Sequence, residues 1–122
     1  MKTSSAKQKG RKLQQTVRDR ILEIFPDLTR RDVRSVPMGV SGTDIQLSEK
    51  AANIFPFSVE CKNQEHINIW GALQQTESDT SERDLTPLLV FKRNFSQVYC
   101  TLKFEDFIKI VEKNDKNKQK TA

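Results

Sequence analysis

The chain reads as an α/β protein, with helices packed on a mixed sheet in the order α-β-β-β-α-β-β-α. Three observations predict this. Leu13, Val17, Ile21 and Ile24 recur at helical spacing. The stretches "TDIQLS" (43–48) and "FPFSVECKNQE" (55–65) alternate apolar and polar residues, as half-buried strands do. "PLLVFK" (87–92) is a continuous apolar run of the kind found in a strand covered on both faces. A helix, a three-strand meander, a second helix and a buried strand make a sandwich around a mixed sheet.

The first helix is predicted over 9–25, with its apolar stripe inward. Arg11, Gln14, Gln15 and Arg18 lie on a different, basic face, expected to be exposed. Pro26 and Asp27 end it. A short strand over 33–36 leads into "PMGVSG", a turn-prone loop with glycines at 39 and 42. In the next strand Ile45 and Leu47 point one way, Asp44 and Gln46 the other. A loop follows, then a strand over 57–62. A second helix is expected over 68–78, with Ile69, Trp70, Leu73 and Thr76 inward. "SDTSERDLTP" is a polar connection to the buried strand, and "SQVYCTL" should pair beside it. Phe104, Phe107, Ile108 and Val111 then mark a final amphipathic helix.

With 122 residues, 35% of them hydrophobic and 30% charged, the chain suits one domain with a modest core and polar ends. The expected division is a flexible basic arm over 1–8, a folded domain over 9–113 and a disordered tail over 114–122. The net charge of +5 favours a polyanionic partner, most often nucleic acid. No apolar run approaches membrane-spanning length, and no membrane partner is expected. The first residues lack the apolar core of a secretory signal, so a cytoplasmic location is expected, in the host if the chain is viral. Two cysteines and one histidine, His66, cannot supply the four close ligands of a zinc site. Cys61 and Cys100 fall in strand patterns and read as buried free thiols.

The polar face of the strand over 57–62 carries Ser58, Glu60 and Lys62. Pairing "TDIQL" with "FSVEC" by their apolar faces puts Ile45 opposite Val59, Leu47 opposite Phe57, and Asp44 opposite Glu60. Directly opposed residues have Cβ atoms roughly 4.5–5.5 Å apart. Two carboxylates so close repel, and a divalent cation between them reverses the sign. Hard oxygen ligands suit Mg²⁺ or Mn²⁺. Lys62 lies about 7 Å along the same face, where an ammonium can steer a water or stabilise charge on a phosphate. Glu-x-Lys alone commonly marks a solvated face; the upstream acid in a compatible register strengthens the functional reading.

"SGTDI" followed by "VECK" resembles the motif of the PD-(D/E)XK nuclease superfamily, an acid on one strand and Glu-x-Lys on the next. "KGRKLQ" is similar to the opening of archaeal-type Holliday junction resolvases. "SGTDI", "VECKNQE", "NIWGALQQ" and "VFKRN" in that order resemble small bacteriophage endonucleases. The resemblance implies a restriction-endonuclease-like fold with an αβββαβ core. It implies that Asp44, Glu60 and the backbone carbonyl of Cys61 hold Mg²⁺ (or Mn²⁺), and that Lys62 orients the attacking water. Gln75 matches a glutamine that faces the active site in several branches; a solvated helix glutamine is its competing reading. Many junction resolvases carry a glutamate where this chain has Gln14. An amide can orient a water or bind a metal weakly, but it carries no charge. Glu23 lies on another side of the helix.

Lys9, Arg11, Lys12, Arg18, Arg30, Arg31 and Arg34 are candidate phosphate contacts, and Lys92 and Arg93 extend the set. His66 reads as a polar cap and Trp70 as packing. The reading that results is a metal-dependent DNA endonuclease, directed to branched or junction DNA. So small a domain has little surface for base readout, and groove-reading motifs are absent. A symmetrical junction needs two cuts, which favours a homodimer. The alternatives are a non-catalytic DNA-binding module on a nuclease fold, or a nicking or repair nuclease without junction preference.

Overall fold

A computed structural model describes residues 3–36, 43–80 and 84–121. The loop "PMGVSG" lies outside them, as does part of the connection before the buried strand. Helix α1 spans Thr3–Ile24 and begins six residues before the expected start. Ala6, Lys7 and Gln8 are good helix formers, so they extend a helix already nucleated by its packed stripe. The Phe25 amide still bonds to the Ile21 carbonyl at 3.0 Å, and Pro26 stops the ladder there.

Strands β1 (Val33–Ser35) and β2 (Ile45–Leu47) form an antiparallel pair, with Val33 opposite Leu47 and Ser35 opposite Ile45. This replaces the expected ladder of Ile45 against Val59 and Leu47 against Phe57. The segment after β2 is a helix, α2 (Glu49–Ile54), where a loop was expected. Ser48 caps it by accepting from the Ala51 amide at 3.1 Å, while its hydroxyl donates to Asp32 Oδ1 at 2.8 Å. The cap therefore ties α2 to the turn before β1.

Strand β3 (Phe57–Asn63) runs parallel to β4 (Thr86–Lys92), and β4 pairs antiparallel with β5 (Tyr99–Thr101) in a mixed three-stranded sheet. Helix α3 (Ile69–Ser78) links β3 to β4, as a parallel crossover requires. On one face of the sheet, Leu13 and Ile21 of α1 share a core with Val33, Ile45, Leu47, Val59, Cys61 and Val90. Ala72 and Thr76 of α3 and Leu89 of β4 are buried apart from that cluster, beneath α3. The molecule thus has the restriction-endonuclease-like arrangement, a mixed sheet flanked by helices.

Three expected burials are not found. Trp70 is 81% exposed, because Ala72 and Thr76 carry the inward face of α3. Cys100 is free and exposed, since β5 is the outer strand of its sheet; Cys61 is free and buried. Helix α4 (Phe104–Thr121) continues through the expected tail, and its stripe residues Phe104, Phe107 and Val111 stand exposed. Among the described residues no helix is long and apolar enough to cross a membrane.

Candidate active site

Asp44 sits immediately before β2 and turns towards β3. Its amide donates to the Val59 carbonyl at 3.1 Å, and the Cys61 amide donates to Asp44 Oδ2 at 2.7 Å. These two bonds flank Glu60 and hold the two carboxyl groups against each other. In an extended strand the N–H and C=O of one residue lie on the same edge. The Cys61 carbonyl therefore shares the edge that faces the Asp44 carboxylate.

Glu60 is only 3% exposed. Its carboxyl feels the charge of Asp44 and also that of Asp79, the residue that ends α3. Ionised carboxylates only accept, and Glu60 Oε1 is buried with no hydrogen-bond partner. Burial first, and then the charge of Asp44, pushes the Glu60 carboxyl up to about 9 from 4.5. Burial raises Asp44 as well, against the Cys61 amide and the Lys62 charge, which lower it. Lys62 follows two residues along the same face, half-buried. Burial holds the Cys61 thiol protonated, so its backbone is what it offers this edge.

Asp79 has no counterpart among the residues picked from the sequence. A signal was present. An acid at a helix C-terminus opposes the helix dipole, and here it also faces two more acids. Both penalties are relieved by a cation. Gln75 lies one turn before Asp79 on the same side of α3 and is exposed. Gln14 is 2% exposed and its Oε1 accepts from Ser35 Oγ at 3.0 Å. That oxygen is engaged by β1.

The basic residues do not form the exposed α1 face that was expected. Arg18 has a side chain 17% exposed and donates to Asp19 Oδ1 at 2.9 Å. Arg11 is half-buried, with Nη1 enclosed and without a hydrogen-bond partner. Helix α1 packs on both β1 and β3, so its buried arc is wider than the apolar stripe. Lys9 is half-buried and Lys12 exposed. Arg30, Arg31 and Arg34 are exposed, with Arg34 Nη2 donating to Gln46 Oε1 at 3.0 Å.

A family model described as "Phage putative PDDEXK endonuclease" matches residues 5–122. The chain belongs to this phage PDDEXK family. No curated protein matches the chain, and no solved structure does. PDDEXK membership makes the chain a member of a nuclease family, with DNA as the substrate class. Nucleases of the PDDEXK kind generally use divalent metals. Among the described residues no three His, Cys, Asp or Glu side chains form a ready cage for an ion. Mg²⁺ does not require one, since it keeps several waters and takes one or two carboxylates together with substrate phosphates. Two opposed acids, a carbonyl on their edge and a buried Oε1 without a donor fit that chemistry.

Proposed function

We propose that the chain is a divalent-metal-dependent endodeoxyribonuclease that acts on branched DNA as a homodimer. The observation that carries this reading is the pair of a half-buried Asp44 and a buried Glu60, tied by the Cys61 amide, with Lys62 on the same face. Asp44, Glu60 and the Cys61 carbonyl would hold Mg²⁺ or Mn²⁺. When bound, such an ion neutralises charge on the phosphate and lowers the pKa of a bound water. The residues themselves do the rest. The Asp44–Cys61 bond fixes the spacing of the acids. Lys62 places a positive charge where the attacked phosphate becomes more negative. The enclosure of Glu60 keeps bulk water from competing for its oxygens.

Gln14 and Gln75 do not enter this proposal, because the first is bound to Ser35 and the second stands in solvent. Preference for branched DNA is supported by the small size of the domain and by the lack of a groove-reading element among the described residues. The test uses labelled four-way junction, duplex and single-stranded DNA of matched sequence, with and without Mg²⁺. The expected result is cleavage only with metal, fastest on the junction. Equal rates on junction and duplex would remove the substrate preference. No cleavage of any substrate with Mg²⁺ or Mn²⁺ would leave a DNA-binding module on a nuclease fold.

A further inference from the structure

Because β3 and β4 are parallel, they end at the same edge of the sheet. Lys62 lies opposite Phe91 and Asn63 opposite Lys92. The chain then turns at Arg93–Ser96. The Arg93 amide donates to Ser96 Oγ at 3.1 Å and the Ser96 amide donates to the Arg93 carbonyl at 3.2 Å. Within this turn Phe95 adopts φ 63, and its side chain is fully exposed at 104%. A bulky residue is disfavoured in the left-handed region, where glycine or asparagine is at ease. Its ring gains nothing from burial, so the packing of the fold does not call for a phenylalanine there. This backbone cost falls at the tip of a turn closed by its own hydrogen bonds.

The neighbours of Phe95 are suited to a nucleic acid. Arg93 is exposed and Lys92 half-buried. Behind the turn lies a cavity of about 200 Å³ lined by Phe91, Lys92, Arg93, Ser96 and Tyr99 among others. The Phe91 and Tyr99 rings stack there with centroids 6.1 Å apart. Phe95 lies three residues beyond Lys92, in the turn that follows the strand paired with β3.

We propose that the β4–β5 turn is a binding site for an unpaired or splayed nucleobase at a DNA branch, with Phe95 stacking on the base and Arg93 contacting the adjoining phosphate. The inference rests on the reading of Asp44, Glu60 and Lys62 as a DNA-cleaving site, and it names what lies beside the cut. It explains why an exposed aromatic is kept at positive φ. Base–aromatic stacking tolerates any sequence, because every base has a π-face.

The experiment uses the full chain carrying Asp44→Asn, so that DNA is bound and not cut. Affinities for a four-way junction and a matched duplex are measured for Phe95, Phe95→Ala and Phe95→Trp proteins, with 2-aminopurine at the branch as a stacking reporter. Phe95→Ala should weaken junction binding by on the order of tenfold or more, leave duplex binding unchanged and abolish the quenching of 2-aminopurine. Phe95→Trp should retain all three properties. Phe95→Gly, which relieves the backbone, should unfold at a higher temperature while losing junction affinity. Equal losses on junction and duplex, or undiminished quenching by the Phe95→Ala protein, would overturn the proposal. So would a change in the mass of the free protein on Phe95→Ala, which would make the turn a contact between copies. The endonuclease reading fails separately, if the chain with native Asp44 cuts nothing with Mg²⁺.

Discussion

Glu60 and its neighbours set the pH dependence of the metal-free protein. The folded carboxyl holds its proton up to about 9, whereas the unfolded one releases it near 4.5. Between those values the folded state binds more protons than the unfolded state, so stability falls as pH rises. Asp44 is raised too and adds in the same direction. The melting temperature of the metal-free protein should therefore decline from about pH 5 to about pH 9. Glu60→Gln should flatten that decline, since it removes the group that titrates, and Asp79→Asn should reduce it, since it removes a charge that helps to raise Glu60. A flat profile for the native chain would show that Glu60 is solvated. Lys62 gives a prediction of a different kind. It is not a ligand in the proposed site, so Lys62→Ala should abolish cleavage while Mg²⁺ binding by calorimetry persists. Undiminished cleavage by Lys62→Ala would reduce it to a strand lysine.

At the scale of elements, the placement of positive charge changes where DNA is expected to dock. Helix α1 offers little, with Arg18 tied to Asp19 and Arg11 half-buried. The turn before β1 carries Arg30 and Arg31, and β1 carries Arg34, all exposed. Each phosphate contact removed should lower the slope of log affinity against log salt by about 0.9. Replacing all three arginines by alanine should flatten the slope accordingly, with little change in melting temperature. An unchanged slope would move the docking face to Lys92 and Arg93. The elements themselves differ in how legible they were. Strands β3 and β4 and helix α3 were readable, because long periodic or continuous apolar segments declare their type. The Asp44–Glu60 juxtaposition was readable too, although Asp44 reaches β3 through its own amide and carboxylate and not through a β2–β3 ladder. Helix α2 was missed: six residues fall below the window in which periodicity speaks, and the Ser48 cap was the remaining signal. Trp70 and Cys100 were misplaced because period shows which residues share a face, not whether another element covers it. Asp79 escaped notice because it belongs to the site only through the end of α3.

For the whole molecule, the uncovered surface is the feature to explain. Phe104, Phe107, Ile110 and Val111 on α4 are all at least 40% exposed, and Tyr99 on the outer strand is 57% exposed. Clustered apolar exposure of this kind marks an association surface more often than a solvent face. A two-fold junction presents two equivalent phosphodiesters, and a two-fold dimer presents two equivalent sites. The proposed dimer would bury the α4 stripe between copies. Light scattering should then give twice the chain mass at micromolar concentration. Phe107→Ser with Val111→Ser should give a monomer. Each such monomer should retain Mg²⁺ binding and cut a junction once, without the paired second cut. Because the two side chains are already exposed in the single chain, the loss of association should not come with loss of helical signal. A native chain that stays monomeric at tens of micromolar, yet makes paired cuts, would require the two incisions to be independent events.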